Sequence, residues 1–471
     1  MSKTHADLSD TIAALATPAG VGGIAVVRVS GPQAMTLVDR GLRLTRPLKD
    51  AQSHTAHVGR FRGPTGMVLD EVVATLFRSP RSYTGEDVVE VSCHGGSLIA
   101  HEILDALIEY GARMAEPGEF TKRAFLNGKM DLAQAEAVAE LIGARSEMAR
   151  RASLDQLSGG LSRRITELRD SLVSILGLLE LELDFVEEEL ELTDKGAIAQ
   201  KLDASIKEID GMISTYTAGR MVRDGIRVVL AGSPNVGKSS LLNALLNEDR
   251  AIVTDIPGTT RDVIEEAISI GGLHFVLSDT AGVRATVDLV EQHGLERTEK
   301  KIRNSDVLLL VVDPSRKIED HEIESMKRVL DEVKHSSSAC IIVLNKSDLG
   351  EKTENIAQIE QISQQFSKIR ISTKTGQGLS DLESAMVNVA IKGKMEISES
   401  GVLVTNIRHK DALTRSRASL QLALTALTTG ESPEFVSVDL RAGLDSLGEI
   451  IGITTTDDIL NAIFSKFCIG K

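Results

Sequence analysis

The stretch 226-IRVVLAGSPNVGKSSLLNALL-246 decides the reading of the chain. A continuous apolar run (226-IRVVLA-231) leads into the loop 232-GSPNVGKS-239, and the apolar-periodic segment 240-SLLNALL-246 follows at once. This is a G-x-x-x-x-G-K-S pattern between a strand and a helix. Glycines let such a loop wrap so that its N–H groups converge on phosphate oxygens. Within it Asn235, Val236, Gly237, Lys238, Ser239 and Ser240 are expected to contact nucleotide. Lys238 faces the β and γ phosphates as the catalytic cation, and the Ser239 hydroxyl ligates Mg²⁺.

Three further pieces follow in order. The segment 254-TDIPGTTRD-262 carries Thr254, Asp255, Ile256, Pro257, Gly258, Thr259 and Thr260 in a composition suited to a moving loop. Thr260 is the candidate second side-chain ligand of Mg²⁺. The run 274-HFVLS-278 ends in 279-DTAG-282, where Asp279 would hold the metal through water and Gly282 would offer its N–H to the γ-phosphate, with Thr280 and Ala281 between them. Finally 345-NKSD-348 (Asn345, Lys346, Ser347, Asp348) ends another strand. The Asp348 carboxylate matches the N1–H and exocyclic amine of guanine, a donor pair adenine lacks, so choosing adenine would leave a buried carboxylate unpaired. Together the four pieces point to GTP, and 372-STKTGQG-378 is expected to close the base pocket through backbone N–H groups. One group is missing. The position after DTAG, where many such proteins carry a water-orienting glutamine, is Val283.

Outward from this core, 306-DVLLLVVD-313, 340-CIIVLN-345 and 369-IRIS-372 alternate with helical stretches, as in a mainly parallel sheet covered on both faces. Residues 225–393 therefore read as one α/β domain. Residues 1–127 read as a second α/β unit, with strand-like runs 24-IAVVRVS-30, 72-VVATLF-77 and 88-VVEVS-92. Residues 128–224 and 394–471 are helical. Asp131 is the expected N-cap of 132–144; Ile165, Leu168, Leu172, Leu176, Leu179 and Leu183 mark one helix face, and Leu413, Leu420, Leu424 and Leu427 another. Two helical segments flanking an α/β domain suggest that the latter is inserted into a single helical domain.

Bulk properties set limits. At 471 residues several domains are expected. With 53 basic and 68 acidic side chains the net charge is −15, which disfavours general coating of nucleic acid while leaving local contact with a structured RNA open. The acidic 180-ELELDFVEEELEL-192 and basic 408-RHKDALTRSR-417 read as solvated helix faces. No run is long and apolar enough for a membrane span, the opening MSKTHADLSD lacks an apolar signal core, and three scattered cysteines argue for a reducing cytoplasm.

The chain resembles the MnmE (TrmE) family of tRNA-modification GTPases along essentially its whole length. The resemblance is carried by Asn235 in the loop, TDIPGTTRD, DTAG followed by an apolar residue, 84-TGEDVVEVSCHGG-96, 117-PGEFTKRAFLNGKMDLAQAEA-137 and the terminal 467-FCIGK-471. It implies an N-terminal tetrahydrofolate-binding and dimerisation domain, then a helical domain carrying an inserted Ras-like GTPase domain. It further implies that K⁺, held by Asn235, Thr254, Ile256 and Thr259, supplies the charge missing at Val283 once two GTPase domains of a homodimer close over it. Glu291 would help organise the attacking water, in preference to Arg284 acting as an arginine finger.

In the N-terminal domain the resemblance implies folate contacts by Arg28, Glu90, Lys129 and Lys471, with Cys468 a catalytic candidate. His94 is assigned to turn packing, since one His and one Cys make a poor zinc site. The implied activity joins a flavoprotein of the MnmG (GidA) type. Together they add an aminomethyl or carboxymethylaminomethyl group to C5 of the wobble uridine of certain tRNAs. The carbon comes from 5,10-methylene-tetrahydrofolate, with 5-formyl-tetrahydrofolate as its analogue. A ribosome-assembly switch of the Era or double-GTPase kind is the rival reading, though no KH-type GXXG module is evident in the tail and no second P-loop precedes the first.

Overall fold

The computed structural model describes residues 10–18, 20–184, 194–248, 266–279, 302–336, 338–391 and 402–471. They divide into two compact units: Met1–Ala139 with Gln156–Gly177 and Leu440–Lys471, and Glu140–Asp155 with Leu178–Asp439.

The first unit is built on six strands: β1 (Ile12–Leu15), β2 (Ile24–Ser30), β3 (Thr55–Arg62), β4 (Val68–Phe77), β5 (Val88–His94) and β6 (Arg113–Met114). Their order is β3-β4-β5-β2-β1-β6, antiparallel except for the β1–β6 pair. Period-two alternation sorts the side chains of β2. Ala25, Val27 and Val29 join a core completed by the helices Ala34–Gly41 and Ser97–Glu109, at about 1.5–3 kcal/mol for each fully buried valine. Arg28 falls on the other face, opposite Glu90 of β5 in register. A smaller cluster of Ile12, Ala14, Ala115 and Phe120 packs with Tyr83.

The C-terminal helix Asp457–Phe464 returns to this unit. Leu460, Phe464 and Phe467 bury themselves against Leu132 and Ala135, with Phe125 beside them. Asp131 accepts from the Gln134 N–H, and the Gln134 side chain accepts in turn from the Asp131 N–H, so the helix Leu132–Gly143 begins at the expected residue. Along Gly160–Asp184 the buried positions are Ile165, Leu168, Leu172, Ile175 and Leu179. Leu176 and Leu183, expected on that face, are only half-buried, because a 3.6-residue repeat brings 175 rather than 176 over 172 and 179.

The second unit contains β7 (Ile226–Ala231), β8 (Glu266–Ile270), β9 (Leu273–Asp279), β10 (Val307–Val312), β11 (Ala339–Leu344) and β12 (Ser367–Arg370) in the order β12-β11-β10-β7-β9-β8. All neighbours are parallel except the β8–β9 hairpin. Both faces are covered, which is why the strands read as unbroken apolar runs. Val228 and Leu230 meet Leu241, Leu245, Leu382 and Met386 on one side. Val229 and Ala231 share the other side with Met326, Leu330 and Ile359. The helix Lys195–Ser214 precedes this sheet and Ile407–Thr429 follows it, yet the two pack along each other. The α/β domain is thus inserted into a helical one. Leu413, Leu420 and Leu427 are buried there and Leu424 is half-buried.

Candidate functional site

The nucleotide candidates gather at the carboxyl ends of β7, β10 and β11, the edge of a parallel sheet where ligands bind. Val236 anchors the loop, at 2% exposure, while Asn235, Ser239 and Ser240 stay exposed. Gly237 has φ +100°, and a Cβ there would lie 2.3 Å from Asn345 Nδ2. Only glycine fits. Asn345 is fully buried and donates from Nδ2 to the Val236 carbonyl (2.9 Å) while its Oδ1 accepts from the Thr373 N–H (3.2 Å). Lys238 begins the helix Lys238–Glu248 and donates from Nζ to the carbonyls of Gly232 (2.8 Å) and Ser233 (2.9 Å).

Lys346 Nζ reaches the Asn235 carbonyl at 3.0 Å and Asp313 Oδ2 at 2.7 Å. Ser347 is held through its N–H on the Ile371 carbonyl, and the Ser372 hydroxyl donates to Asp348 Oδ1 (2.7 Å). The 372–378 loop thus touches the motif through one hydroxyl and one N–H. Its remaining N–H bonds fold the loop on itself, Thr375 to Ser372 Oγ and Gly376 to the Ser372 carbonyl.

Asp313 was missing from the sequence reading. It is 2% exposed. Burial pushes its carboxyl up, but Lys346 and Ser315 together hold it below the usual range. Its only signal was a charged residue closing the apolar run 306-DVLLLVVD-313.

Asp279 closes β9 beside Leu230 of β7. Thr254, Asp255, Ile256, Pro257, Gly258, Thr259, Thr260, Thr280, Ala281, Gly282, Val283, Arg284 and Glu291 lie outside the described residues. Among the described residues no group of His, Cys, Asp and Glu is arranged to hold a metal. The Mg²⁺ reading rests on the Ser239 hydroxyl in the exposed first turn of a helix, and the K⁺ reading on the exposed Asn235.

In the first unit several sequence-distant segments converge on Arg28. Its Nε donates to Glu90 Oε1 (2.9 Å) and its Nη1 to the Gly470 carbonyl (3.2 Å); the guanidinium carbon lies 5.3 Å from the Tyr83 ring centre and 5.6 Å from that of Phe120. Gly470 has φ +94°, and a Cβ would come within 2.2 Å of the Leu15 carbonyl. The chain end therefore threads closely past β1 and places Lys471 beside Arg28 and Glu90. Burial, then Arg28, hold the Lys471 ammonium below its ordinary value.

Lys129 donates instead to the Pro80 carbonyl (3.0 Å), in the loop that also carries Tyr83. Cys468 is exposed, whereas Cys93 and Cys340 are buried, burial pushing the Cys340 thiol up to about 12. His94 corrects an expectation. It is not packed into its turn but lies 71% exposed, with Nδ1 2.7 Å from Asp70 Oδ1. A polar partner on β4 was within reach, and nothing apolar in Cys-His-Gly-Gly could cover the ring.

In the same unit Arg123, 1% exposed, also had no sequence signal. It bonds Glu86 (3.1 Å), Glu119 (3.0 Å) and Asp10, and Glu86 accepts in turn from Ser30 Oγ (2.6 Å).

The profile described as "GTP-binding protein TrmE N-terminus" matches residues 11–129, and "MnmE helical domain" matches 132–468. The tRNA modification GTPase MnmE of Moorella thermoacetica is 44% identical over 469 residues, covering 98% of this chain and 100% of that protein. The chain belongs to the MnmE family of tRNA-modification GTPases. Another MnmE relative, from Geobacter metallireducens, is 42% identical over 465 residues, 98% of this chain and 100% of its own. Among solved structures the G domain of the T. maritima FeoB iron transporter matches 35% of this chain and 98% of its own, at 24% identity and TM-score 0.26. As an MnmE-family member the chain is a GTP hydrolase acting in tRNA modification. No helix among the described residues is long and apolar enough to cross a membrane.

Proposed function

We propose that this chain is a K⁺-activated, dimerisation-dependent GTPase with a folate-binding N-terminal domain. With a flavoprotein of the MnmG type it adds an aminomethyl or carboxymethylaminomethyl group to C5 of the tRNA wobble uridine. The observation that carries the reading is the convergence of Arg28, Glu90 and Lys471, from sequence-distant segments, in a chain whose other unit holds a guanine-type phosphate loop. Glu90 can accept from the amide-like edge of a pterin, and the basic side chains suit a glutamyl carboxylate. Bound methylene-tetrahydrofolate would supply the one-carbon unit. Lys129, on the neighbouring loop, is assigned to the same ligand.

In the nucleotide site Lys238 and the loop N–H groups, with Val236, Gly237 and Ser240, would bind the phosphates. Ser239 and Thr260 would hold Mg²⁺, whose charge stabilises the phosphoryl oxygens. Asn235, Thr254, Ile256 and Thr259 would hold K⁺ near the bridging oxygen, where negative charge grows during cleavage. Asp279 and Gly282 would face the metal and γ-phosphate, and Glu291 would orient water. Asn345, Lys346, Ser347 and Asp348 would select guanine. Domain limits of 1–127, 128–224, 225–393 and 394–471 and a cytoplasmic location belong to the same reading.

The test is equilibrium titration of one preparation with 5-formyl-tetrahydrofolate and with GTP, and GTP turnover in sodium and potassium salts. Absence of folate binding would remove the folate assignment, and turnover indifferent to the cation would remove the K⁺ assignment.

A further inference from the structure

Among the described residues three non-glycine positions have positive φ: His54, Asn235 (+66°) and Lys346 (+65°). The last two are joined to each other. Asn235 belongs to the phosphate loop and Lys346 to the base motif, and the Lys346 ammonium donates to the Asn235 carbonyl at 3.0 Å. Left-handed backbone at such residues persists only where the surroundings over-determine it. A lysine is a poor clasp on its own, being a flexible stem with a strongly hydrated head. What fixes it here is the buried carboxylate of Asp313, 2.7 Å from the same ammonium. The carboxylate is itself fixed, since its other oxygen accepts from the Ser315 N–H (3.0 Å) and hydroxyl (2.6 Å). A buried carboxylate needs a cation, so the attraction also draws Lys346 inward from solvent.

We propose that Asp313 is a positioning residue for nucleotide binding: it clamps the Lys346 ammonium onto the Asn235 carbonyl and so fixes the spacing between the phosphate loop and the base motif. A nucleoside diphosphate must satisfy both segments with one rigid length of base, sugar and phosphate. Only two described side-chain bonds tie NKSD directly to the loop, Asn345 to the Val236 carbonyl and Lys346 to the Asn235 carbonyl. The first is amide to carbonyl and holds itself. The second depends on Asp313. Preorganisation of this kind shows in affinity more than in base choice, because Asp348 is positioned separately by Ser372.

The inference rests on the nucleotide reading of this site, whose own failure would appear as no GDP binding by the wild-type chain and would remove both. The experiment is equilibrium titration of the full chain with a fluorescent GDP, using Asp313→Asn, Lys346→Met and the double variant, with thermal midpoints recorded alongside. Asp313→Asn is expected to weaken GDP about 10–100-fold while keeping the preference of GTP over XTP. In the Lys346→Met background Asp313→Asn should cost less than threefold more, since its route to the nucleotide is already gone. Wild-type affinity in Asp313→Asn, or full multiplication of the two losses in the double variant, overturns the proposal. If Asp313→Asn does not fold, Lys346→Met tests the clasp from its other end, and wild-type GDP affinity there overturns it equally.

Discussion

The Ser372 hydroxyl donates to Asp348 Oδ1 at 2.7 Å, so one oxygen of the carboxylate proposed to select guanine is fixed by a separate loop. Replacing Asp348 with asparagine turns an acceptor into a donor while keeping the shape. Xanthine, which presents a carbonyl where guanine presents an amine, becomes the better partner. Asp348→Asn should lose GTP affinity by about 10–100-fold and gain XTP. Competitive titration of the two nucleotides measures this, and an unchanged GTP preference refutes the base contact.

Asn235 combines an exposed side chain with a left-handed backbone, and the two roles separate by mutation. Glycine adopts that backbone freely but has no amide to offer a cation. GTP turnover in the wild-type chain should rise on the order of tenfold or more when potassium replaces sodium. Asn235→Gly and Asn235→Ala should both lose that response. A wild type indifferent to the monovalent cation removes the K⁺ reading.

Glu90 sits 2.9 Å from Arg28 Nε and would also face a pterin edge. Glu90→Gln keeps the volume and removes the charge. Binding of 5-formyl-tetrahydrofolate, followed by calorimetry, should weaken about 10–100-fold. Affinity equal to the wild type would place the ligand elsewhere.

The Arg123 cluster predicts acid sensitivity. Burial pushes the Glu119 carboxyl up, but Arg113, the Glu116 N–H and Arg123 outweigh it, and the net shift is below 4.5. A carboxylate with a depressed folded pKa stabilises the native state above its unfolded value. That contribution disappears as pH falls from about 4.5 through the folded pKa. Thermal midpoints of wild type and Glu119→Gln should therefore differ most at neutral pH and draw together as the pH falls below about 4.5. A constant gap across that range contradicts the assignment. Arg123→Met should cost about 3–5 kcal/mol, because it removes the cation beside the nearly buried Glu86 and leaves Glu119 and Asp10 with Arg113 alone.

Much of the second unit was legible because its chemistry is local. The loop 232-GSPNVGKS-239, the strand before it and the helix after it are contiguous, and the strands of a doubly covered sheet announce themselves as apolar runs. Short or half-exposed strands did not. β1, β3, β6 and β8 went unread, β6 because it is two residues long, and β3 because its alternation mixes His57, Gly59 and Arg60 with apolar residues. Asp313 and Arg123 were invisible for another reason. Each depends on a distant partner, Lys346 lying 33 residues from Asp313 and Asp10 113 residues from Arg123, and a lone charge beside an apolar run has no signature of its own. Arg28 and Lys471 were paired by resemblance alone; what joins them is the packing of Phe464 and Phe467 onto Leu132, a tertiary fact.

The unequal fates of the three thiols have a practical corollary. Cys93 and Cys340 are sealed in separate cores, and Cys468 stands in solvent two residues before the glycine whose carbonyl meets Arg28. Maleimide chemistry on the native chain should thus deliver a single fluorophore close to the Arg28 contacts, with no engineered cysteine-free background required.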